Sequence, residues 1–170
     1  MKHLNTAAAA AIAALLVLAA PALSAAADAD VLRETSDREQ IAQLMWNYTR
    51  ALDTLNEDAY AQAFTPDGAF GAVKGREALR QMVAGLKKGR AERGAKGEPD
   101  PGAMYHVESN QHVEFADRDH ARLYYYWMTV FAGPADKQSP RVAAVGHGVD
   151  DLVRVDGKWL IQLRTVAPKD

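Results

Sequence analysis

The amino-acid sequence predicts an α+β domain in which three N-terminal helices pack on a curved antiparallel β-sheet and enclose a pocket with it. Two observations carry this prediction. In the first half of the chain, apolar residues recur at three- and four-residue spacing, as on one face of a helix. From Met104 onward they form long runs typical of strands, which short polar turns join into hairpins. Helices followed by antiparallel strands favour a single curved sheet that wraps around the helices as a cone. The helices fill the concave face of this sheet only in part.

Composition places the chain among single-domain globular proteins. It has 170 residues, of which 48% are hydrophobic and 25% charged, with a formal net charge of −2. The slight negative charge argues against a nucleic-acid partner, which would require a basic surface. The sequence contains no cysteine, which excludes disulfides, thiolate metal sites and a cysteine nucleophile.

The first residues are typical of a secretory signal. Lys2 precedes an apolar run, Ala7–Leu23, and small residues follow before Asp28. This order predicts a signal peptide over residues 1–26 that is cleaved near Ala26. The alternative is a membrane anchor, but a run of about 17 residues, mostly alanine, is marginal for spanning a bilayer. We therefore expect a bacterial periplasmic or secreted protein with no stable membrane insertion after cleavage.

The first helix is predicted to begin at a capping box formed by Ser36 and Glu39. An apolar stripe follows at helical spacing: Ile41, Leu44, Met45, Tyr48 and Leu52. Asn56 is expected to cap a shorter second helix, and Pro66–Gly68 to end it with turn chemistry.

A short strand at about 69–73 and a third helix from Arg76 to about Lys88 are predicted next. The segment Gly89–Gly102 is rich in glycine, proline and charge, which favours a mobile loop. A basic cluster spans the end of this helix and the loop, and it indicates a solvated helix end or, alternatively, a lid that attracts an acidic ligand: Lys87, Lys88, Arg90, Arg93 and Lys96.

Four long strands make up the rest of the prediction: Met104–Phe115, His120–Phe131, Arg141–Val155 and Lys158–Ala167. Ala116–Asp119 joins the first two strands. Asp156-Gly157, a strong short-range hairpin signal, joins the last two.

Particular residues in this order resemble a known family. The N-terminal half carries Asp37-Arg38-Glu39-Gln40-Ile41, Tyr48, Ala51-Leu52-Asp53 and Phe64-Thr65-Pro66-Asp67-Gly68. The second half carries Tyr105-His106, Asn110, Ala121 and the run from Asp150 to Trp159. Over residues 30–167 the chain resembles the NTF2-like superfamily, and more closely its SnoaL-like and scytalone-dehydratase-like branch. That superfamily includes dehydratases, isomerases, cyclases, hydrolases and proteins without catalysis, so function has to be argued from the site.

The resemblance implies a catalytic pair, Asp53 and His106. Asp53 lies near the C-terminal end of a helix, where a carboxylate opposes the helix dipole and so needs some other partner. It matches the scytalone-dehydratase aspartate that orients a histidine, and His106 matches that histidine. An aspartate on one ring nitrogen leaves the other free as acid or base. A purely structural histidine is the alternative.

Two further catalytic residues are implied. Tyr48 lies on the inward stripe and matches the ketosteroid-isomerase tyrosine that donates to a developing oxyanion; a core tyrosine is the alternative. Asp150 lies near the sequence position that corresponds to the aspartate that ketosteroid isomerases keep protonated. It shares a strand face with Leu152, so Asp151 should point the other way. The general-base aspartate of those isomerases is missing, because the matching segment reads Gly71-Ala72-Val73.

The substrate-binding candidates are Asn110, His147, Tyr126 and Trp127. Asn110 is four residues after His106, which on a regular strand places both on one face. The second histidine of scytalone dehydratases has no match in Tyr124–Phe131, so His147 is the candidate for that role. Tyr126 and Trp127 are expected to form apolar and stacking walls.

No cofactor and no metal are expected. Dinucleotide, phosphate-loop and serine-hydrolase motifs are absent from the sequence. Zinc bound by His106, Asn110, His112 and Asp53 is an alternative, but no HExxH spacing supports it.

Two classes of function remain open. The first is a cofactor-independent lyase, dehydratase or isomerase that acts on a small apolar or aromatic molecule. The second is a non-catalytic exported domain that binds such a molecule or serves a structural role. A homodimer or homotrimer is also expected, because apolar residues occupy both faces of the strand Tyr124–Phe131.

Overall fold

The computed structural model describes the backbone of residues 6–133 and 139–167, and side chains from residue 28 within these ranges. All side chains of the predicted signal peptide, residues 1–26, therefore lie outside the described ones. The chain divides into two compact units at residue 40, and the sheet, core and cavities described below belong to the second. Its elements, in chain order, are α1 Thr6–Asp53, α2 Glu57–Gln62, β1 Phe64–Phe70, β2 Val73–Lys74, α3 Arg76–Ala95, β3 Met104–Phe115, β4 His120–Phe131, β5 Arg141–Val155 and β6 Lys158–Thr165.

The predicted α+β class is confirmed. One curved, open six-stranded sheet has the order β2-β1-β6-β5-β4-β3. β3, β4, β5 and β6 pair in this order with each neighbour antiparallel, as expected, whereas β1 pairs with β6 in parallel. No hairpin joins β1 to β6, so no short turn imposes an antiparallel direction on this pair.

Three boundaries differ from the predictions. α1 is continuous through Ser36, which is therefore an interior position and not a cap, because the residues before it already belong to the helix. α3 continues to Ala95, so Gly89 and Gly94 are helical although each costs about 1 kcal/mol. Pro66–Gly68 lies within β1, where the pairing with β6 shifts register and accommodates a residue that cannot donate a hydrogen bond.

Other local predictions are confirmed. The Asn56 side chain accepts a hydrogen bond from the Ala59 amide at 3.1 Å and so caps α2. Asp156 and Gly157 both have positive φ, 51° and 76°, as a two-residue hairpin turn requires. Among the described residues, no helix has the length and hydropathy needed to cross a membrane.

The core lies between α1, α2, α3 and the inner face of the sheet. Ile41, Met45 and Tyr48 of the predicted stripe are buried there. The Tyr48 ring packs against the rings of Tyr60 and Phe64 at centroid distances of 5.1 and 5.9 Å. These aromatic contacts hold the Tyr48 face of α1 against α2 and β1.

Two glycines of β5 allow aromatic rings to lie across the inner face of the sheet. Gly148 is directly opposite Tyr125, and Gly146 opposite Trp127. A Cβ on Gly148 would lie 2.3 Å from the Tyr125 hydroxyl, and one on Gly146 would lie 2.9 Å from the Trp127 ring. Both rings therefore need the space that a side chain would occupy.

Candidate active site

A cavity of about 230 Å³ lies on the inner face of the sheet. Its wall combines apolar side chains with a few polar ones: Tyr48, Leu52, Phe70, His106, Glu108, Trp127, Thr129, Ala144, Arg164 and Val166. A mainly apolar pocket with a small number of converging polar groups is the usual form of a small-molecule site.

His106 and Asp53 meet at the edge of this cavity. Asp53 Oδ1 accepts two hydrogen bonds from His106, one from the backbone amide at 2.9 Å and one from ring Nδ1 at 2.7 Å. The His106 side chain is 18% exposed and that of Asp53 is 6% exposed. The carboxylate at the unfavourable end of α1 thus has a partner on β3, 53 residues away in the sequence.

This contact assigns the tautomer of the neutral imidazole ring. An ionised carboxylate only accepts hydrogen bonds, so Nδ1 carries the hydrogen and Nε2 is the basic nitrogen. No hydrogen bond to Nε2 is formed within the described part of the chain. His106 therefore offers a free proton acceptor while Asp53 fixes its orientation.

Arg164 on β6 forms the polar end of the cavity. Its side chain is 3% exposed, and its Nη1 donates to Asp150 Oδ2 at 2.5 Å. Its Nη2 donates to Glu108 Oε1. The guanidinium carbon lies 4.2 Å from the centre of the Tyr48 ring and 4.6 Å from that of Tyr125. Two carboxylates and two aromatic rings therefore hold this cation in one position.

Burial controls the protonation of this cluster. It raises the pKa of Asp150 to about 7, against the opposing effects of Arg164 and of the Tyr125 hydroxyl, which donates to Asp150 Oδ1 at 2.9 Å. Burial also raises the pKa of Tyr48 and of Tyr125, so both phenols remain hydrogen-bond donors. Burial would lower the pKa of Arg164, but the oxygens of Tyr48, Asp150 and Glu108 hold it well above its usual value.

A family model described as the SnoaL-like domain matches residues 33–165. The chain belongs to the SnoaL-like family. The predicted resemblance to this branch of the NTF2-like superfamily is thereby confirmed. No curated protein matches the sequence at a significant level.

Solved structures share the fold of this SnoaL-like protein. An NTF2-like protein with a cystatin-like fold from Novosphingobium aromaticivorans is 20% identical, with a TM-score of 0.65 over 84% of this chain and 88% of that one. A provisionally assigned scytalone dehydratase from the same species is 19% identical, with a TM-score of 0.60 over 78% and 83%. ActVI-ORFA from Streptomyces coelicolor is 20% identical, with a TM-score of 0.66 over 78% and 95%. At these identities the likeness establishes the fold alone.

The SnoaL-like domain brings some of the predicted site residues together. Tyr48, His106 and Trp127 line the cavity, and Asp53 holds His106. Trp127 Nε1 donates to the carbonyl oxygens of His147 and Val166 at 3.1 and 2.8 Å, so its indole presents a ring surface to the cavity. Asp150 shares the inner face with Leu152, as predicted, but lies behind Arg164 and does not line the cavity.

The other three substrate-binding candidates do not reach this cavity. Asn110, Tyr126 and His147 line a separate cavity of about 360 Å³. Tyr126 follows Tyr125 and precedes Trp127 on β4, so strand alternation turns it away from both, and it is 58% exposed. His147 is directly opposite Tyr126 on β5 and follows the same alternation.

A β-bulge explains the separation of Asn110. The pairing of β3 with β4 shifts register between Ser109 and His112, and Asn110 has a left-handed φ of 53°. His106 and Glu108 are inward before this point, whereas Val113 is inward after it. The four-residue offset assumed an unbroken strand, and the bulge reverses which face each residue occupies.

Two residues of the cavity wall, Glu108 and Arg164, were not among the predicted site residues. A signal existed for Glu108, because it is two residues from His106 and shares its strand face. Arg164 has no comparable local signal, since a charged residue in a strand is ordinarily exposed. Within the described ranges, no group of three or more histidines, aspartates or glutamates is arranged to hold a metal ion.

Proposed function

We propose that this SnoaL-like protein is a cofactor-independent lyase of the dehydratase type, or an isomerase, that acts on a small apolar or aromatic molecule. The hydrogen bond from His106 Nδ1 to Asp53 carries the proposal. It leaves Nε2 free as a base beside an apolar cavity, which is the arrangement that general acid–base catalysis needs.

In a dehydration, Nε2 takes a proton from the carbon next to the one that bears the leaving hydroxyl. The C–H electrons form the double bond as the C–O bond breaks. The leaving oxygen takes the proton back from the imidazolium and departs as water. In an isomerisation, the same proton returns to a different carbon. Asp53 stabilises the imidazolium that forms in either case.

Tyr48 is the candidate for stabilising negative charge that develops on the substrate. It lines the cavity, and burial keeps its hydroxyl protonated, so it can donate a hydrogen bond to an oxyanion. Arg164 lies over its ring at 4.2 Å and adds a favourable positive field. Asp150 acts on this arrangement only through Arg164, as a positioning residue.

The cavity restricts the size of the substrate. Its volume of about 230 Å³ lies below the roughly 300–1,000 Å³ of ordinary ligand pockets. Leu52, Phe70 and Trp127 provide the apolar surface. These features favour a substrate of one or two rings.

The test measures proton abstraction directly. We would follow the exchange of α-protons for deuterium in small aryl ketones, and the loss of water from their β-hydroxy derivatives. His106→Ala should lower the rate by roughly 10²–10⁴-fold. His112→Ala is the matched control, because His112 lies on the same strand with a side chain that is 66% exposed. Equal rates in the wild type and His106→Ala would refute the proposed chemistry. Binding without reaction would favour the alternative, a non-catalytic domain that holds the same ligand.

Two further parts of the proposal concern location and assembly. Export rests on the basic and apolar pattern of residues 1–26, and the N-terminal sequence of the exported protein tests it.

Assembly into a homodimer or homotrimer rests on the outer face of the sheet. There Val107, Met128 and Val145 form one cross-strand row and are each 36–66% exposed. A second copy of the chain would cover this row.

A further inference from the structure

Glu108 is part of the cavity wall although its side chain is only 5% exposed. It lies two residues after His106 on β3 and directly opposite Trp127 on β4. Arg164 holds Oε1, and the exposed Gln111 donates to Oε2 at 3.4 Å. A carboxylate offers about four acceptor positions, so acceptor capacity remains for a bound molecule.

The guanidinium of Arg164 is engaged by several protein groups. Its Nη1 and Nη2 are engaged by Asp150 and Glu108, and the rings of Tyr48 and Tyr125 lie against the guanidinium. Its Nε is buried without a hydrogen-bond partner among the described residues. The guanidinium is therefore a fixed support for Glu108, and the two carboxylates that it contacts offset its positive charge.

The charges around the cavity add to an excess of negative charge. Glu108 lies in the cavity wall, and Asp53 and Asp150 lie behind it. These three carboxylates accompany one permanent cation, Arg164, and a histidine that is counted as neutral and whose Nδ1 is bound to Asp53. Even with Asp150 protonated, two carboxylates remain for one guanidinium. A ligand carboxylate or phosphate would meet like charge where water is largely excluded, whereas a hydrogen-bond donor would meet an ionised acceptor.

We propose that Glu108 is the specificity-determining residue of this cavity: it accepts a hydrogen bond from an uncharged hydroxyl or amino group of the ligand and excludes ligands that carry negative charge. Arg164 is a positioning residue that keeps this carboxylate in place. The inference rests on the proposed function in placing the ligand in the same cavity, but it does not require turnover.

The test compares three probes of similar size: phenol, which donates a hydrogen bond; toluene, which does not; and benzoate, which is an anion. Binding to the full chain is followed by NMR at cavity residues. The wild type should bind phenol more tightly than toluene, and benzoate most weakly. Glu108→Gln should reduce phenol affinity by roughly tenfold to a hundredfold, the worth of a hydrogen bond to a charged group, and should strengthen benzoate binding. Glu114→Gln is the matched control, because this residue is 59% exposed on the same strand, and it should leave the ranking unchanged.

Two results separate this inference from the proposed catalysis. His106→Ala should lose proton exchange but keep the probe ranking. If His106→Ala abolishes the preference for phenol while Glu108→Gln retains it, the hydroxyl is bound by His106 and the inference is wrong. The inference is also wrong if the wild-type protein binds benzoate or toluene as tightly as phenol, or if it binds none of the probes at the cavity. This comparison uses the wild type alone and so does not depend on whether a variant folds.

Discussion

Replacing Asp150 by asparagine should change how the stability of this protein depends on pH. Asp150 has a side chain that is 0% exposed, and burial raises its pKa to about 7. The folded state binds the proton of the Asp150 carboxyl group more tightly than the unfolded state does. The stabilisation of the folded state by this proton is therefore fully present below the unfolded pKa of about 3.9. It is lost as pH rises through about 7.

The size of the effect follows from the difference between the two pKa values. Each pH unit between them changes the free energy of unfolding by up to about 1.4 kcal/mol. Between pH 5 and pH 7, ionisation of Asp150 should therefore remove on the order of 2 kcal/mol, or roughly 4–8 °C in Tm for a chain of this length. An asparagine side chain has no proton to lose in this range. The free energy of unfolding of Asp150→Asn should therefore lack the pH dependence that Asp150 contributes.

The assay is thermal or urea unfolding of the wild type and Asp150→Asn at intervals from pH 5 to about pH 8. We expect the stability difference to move in favour of Asp150→Asn as pH rises. Asp151→Asn is the matched control, because the neighbouring carboxylate is 40% exposed and paired with Arg122; its profile should run parallel to that of the wild type. Parallel profiles for Asp150→Asn as well would show that Asp150 is already ionised at pH 5 in the folded protein, and the charge balance around Arg164 would have to be revised.

Three further outcomes are expected. Asp53→Asn should lower the proton-exchange rate, and combining it with His106→Ala should add little, because one unit is broken either way; additive losses would show that the pair does not act together. Gly148→Ala should destabilise the fold by about 1–3 kcal/mol in urea unfolding, because the new Cβ would meet the Tyr125 ring. Gly85→Ala should instead stabilise α3 by about 0.5–1 kcal/mol, because a Cβ at this position would have no atom within 4 Å. Met128→Glu should shift the mass measured by light scattering toward that of the monomer, and a wild type that is already monomeric would refute the predicted assembly.

Local patterns were sufficient for most of the secondary structure. The bounds of β3, β4 and β5 agree with their predicted ranges, because long apolar runs and the Asp156-Gly157 turn are short-range signals. Ser36 shows where such signals fail. A capping box specifies a helix start only if the preceding residues leave the helix, and here they continue it.

The fold class, the family and the pairing of Asp53 with His106 could be predicted from the sequence alone, because each depends on periodicity or on residues that match a known pattern. The composition of the cavity wall depends on tertiary contacts and could not be predicted in this way. A single bulge in β3 separated Asn110 from His106, and no local signal marked its position. Arg164 became central because β6, β5 and β3 place Asp150 and Glu108 around it. A buried charge is tolerated only where partners from distant parts of the chain converge on it, and that convergence is a property of the folded chain.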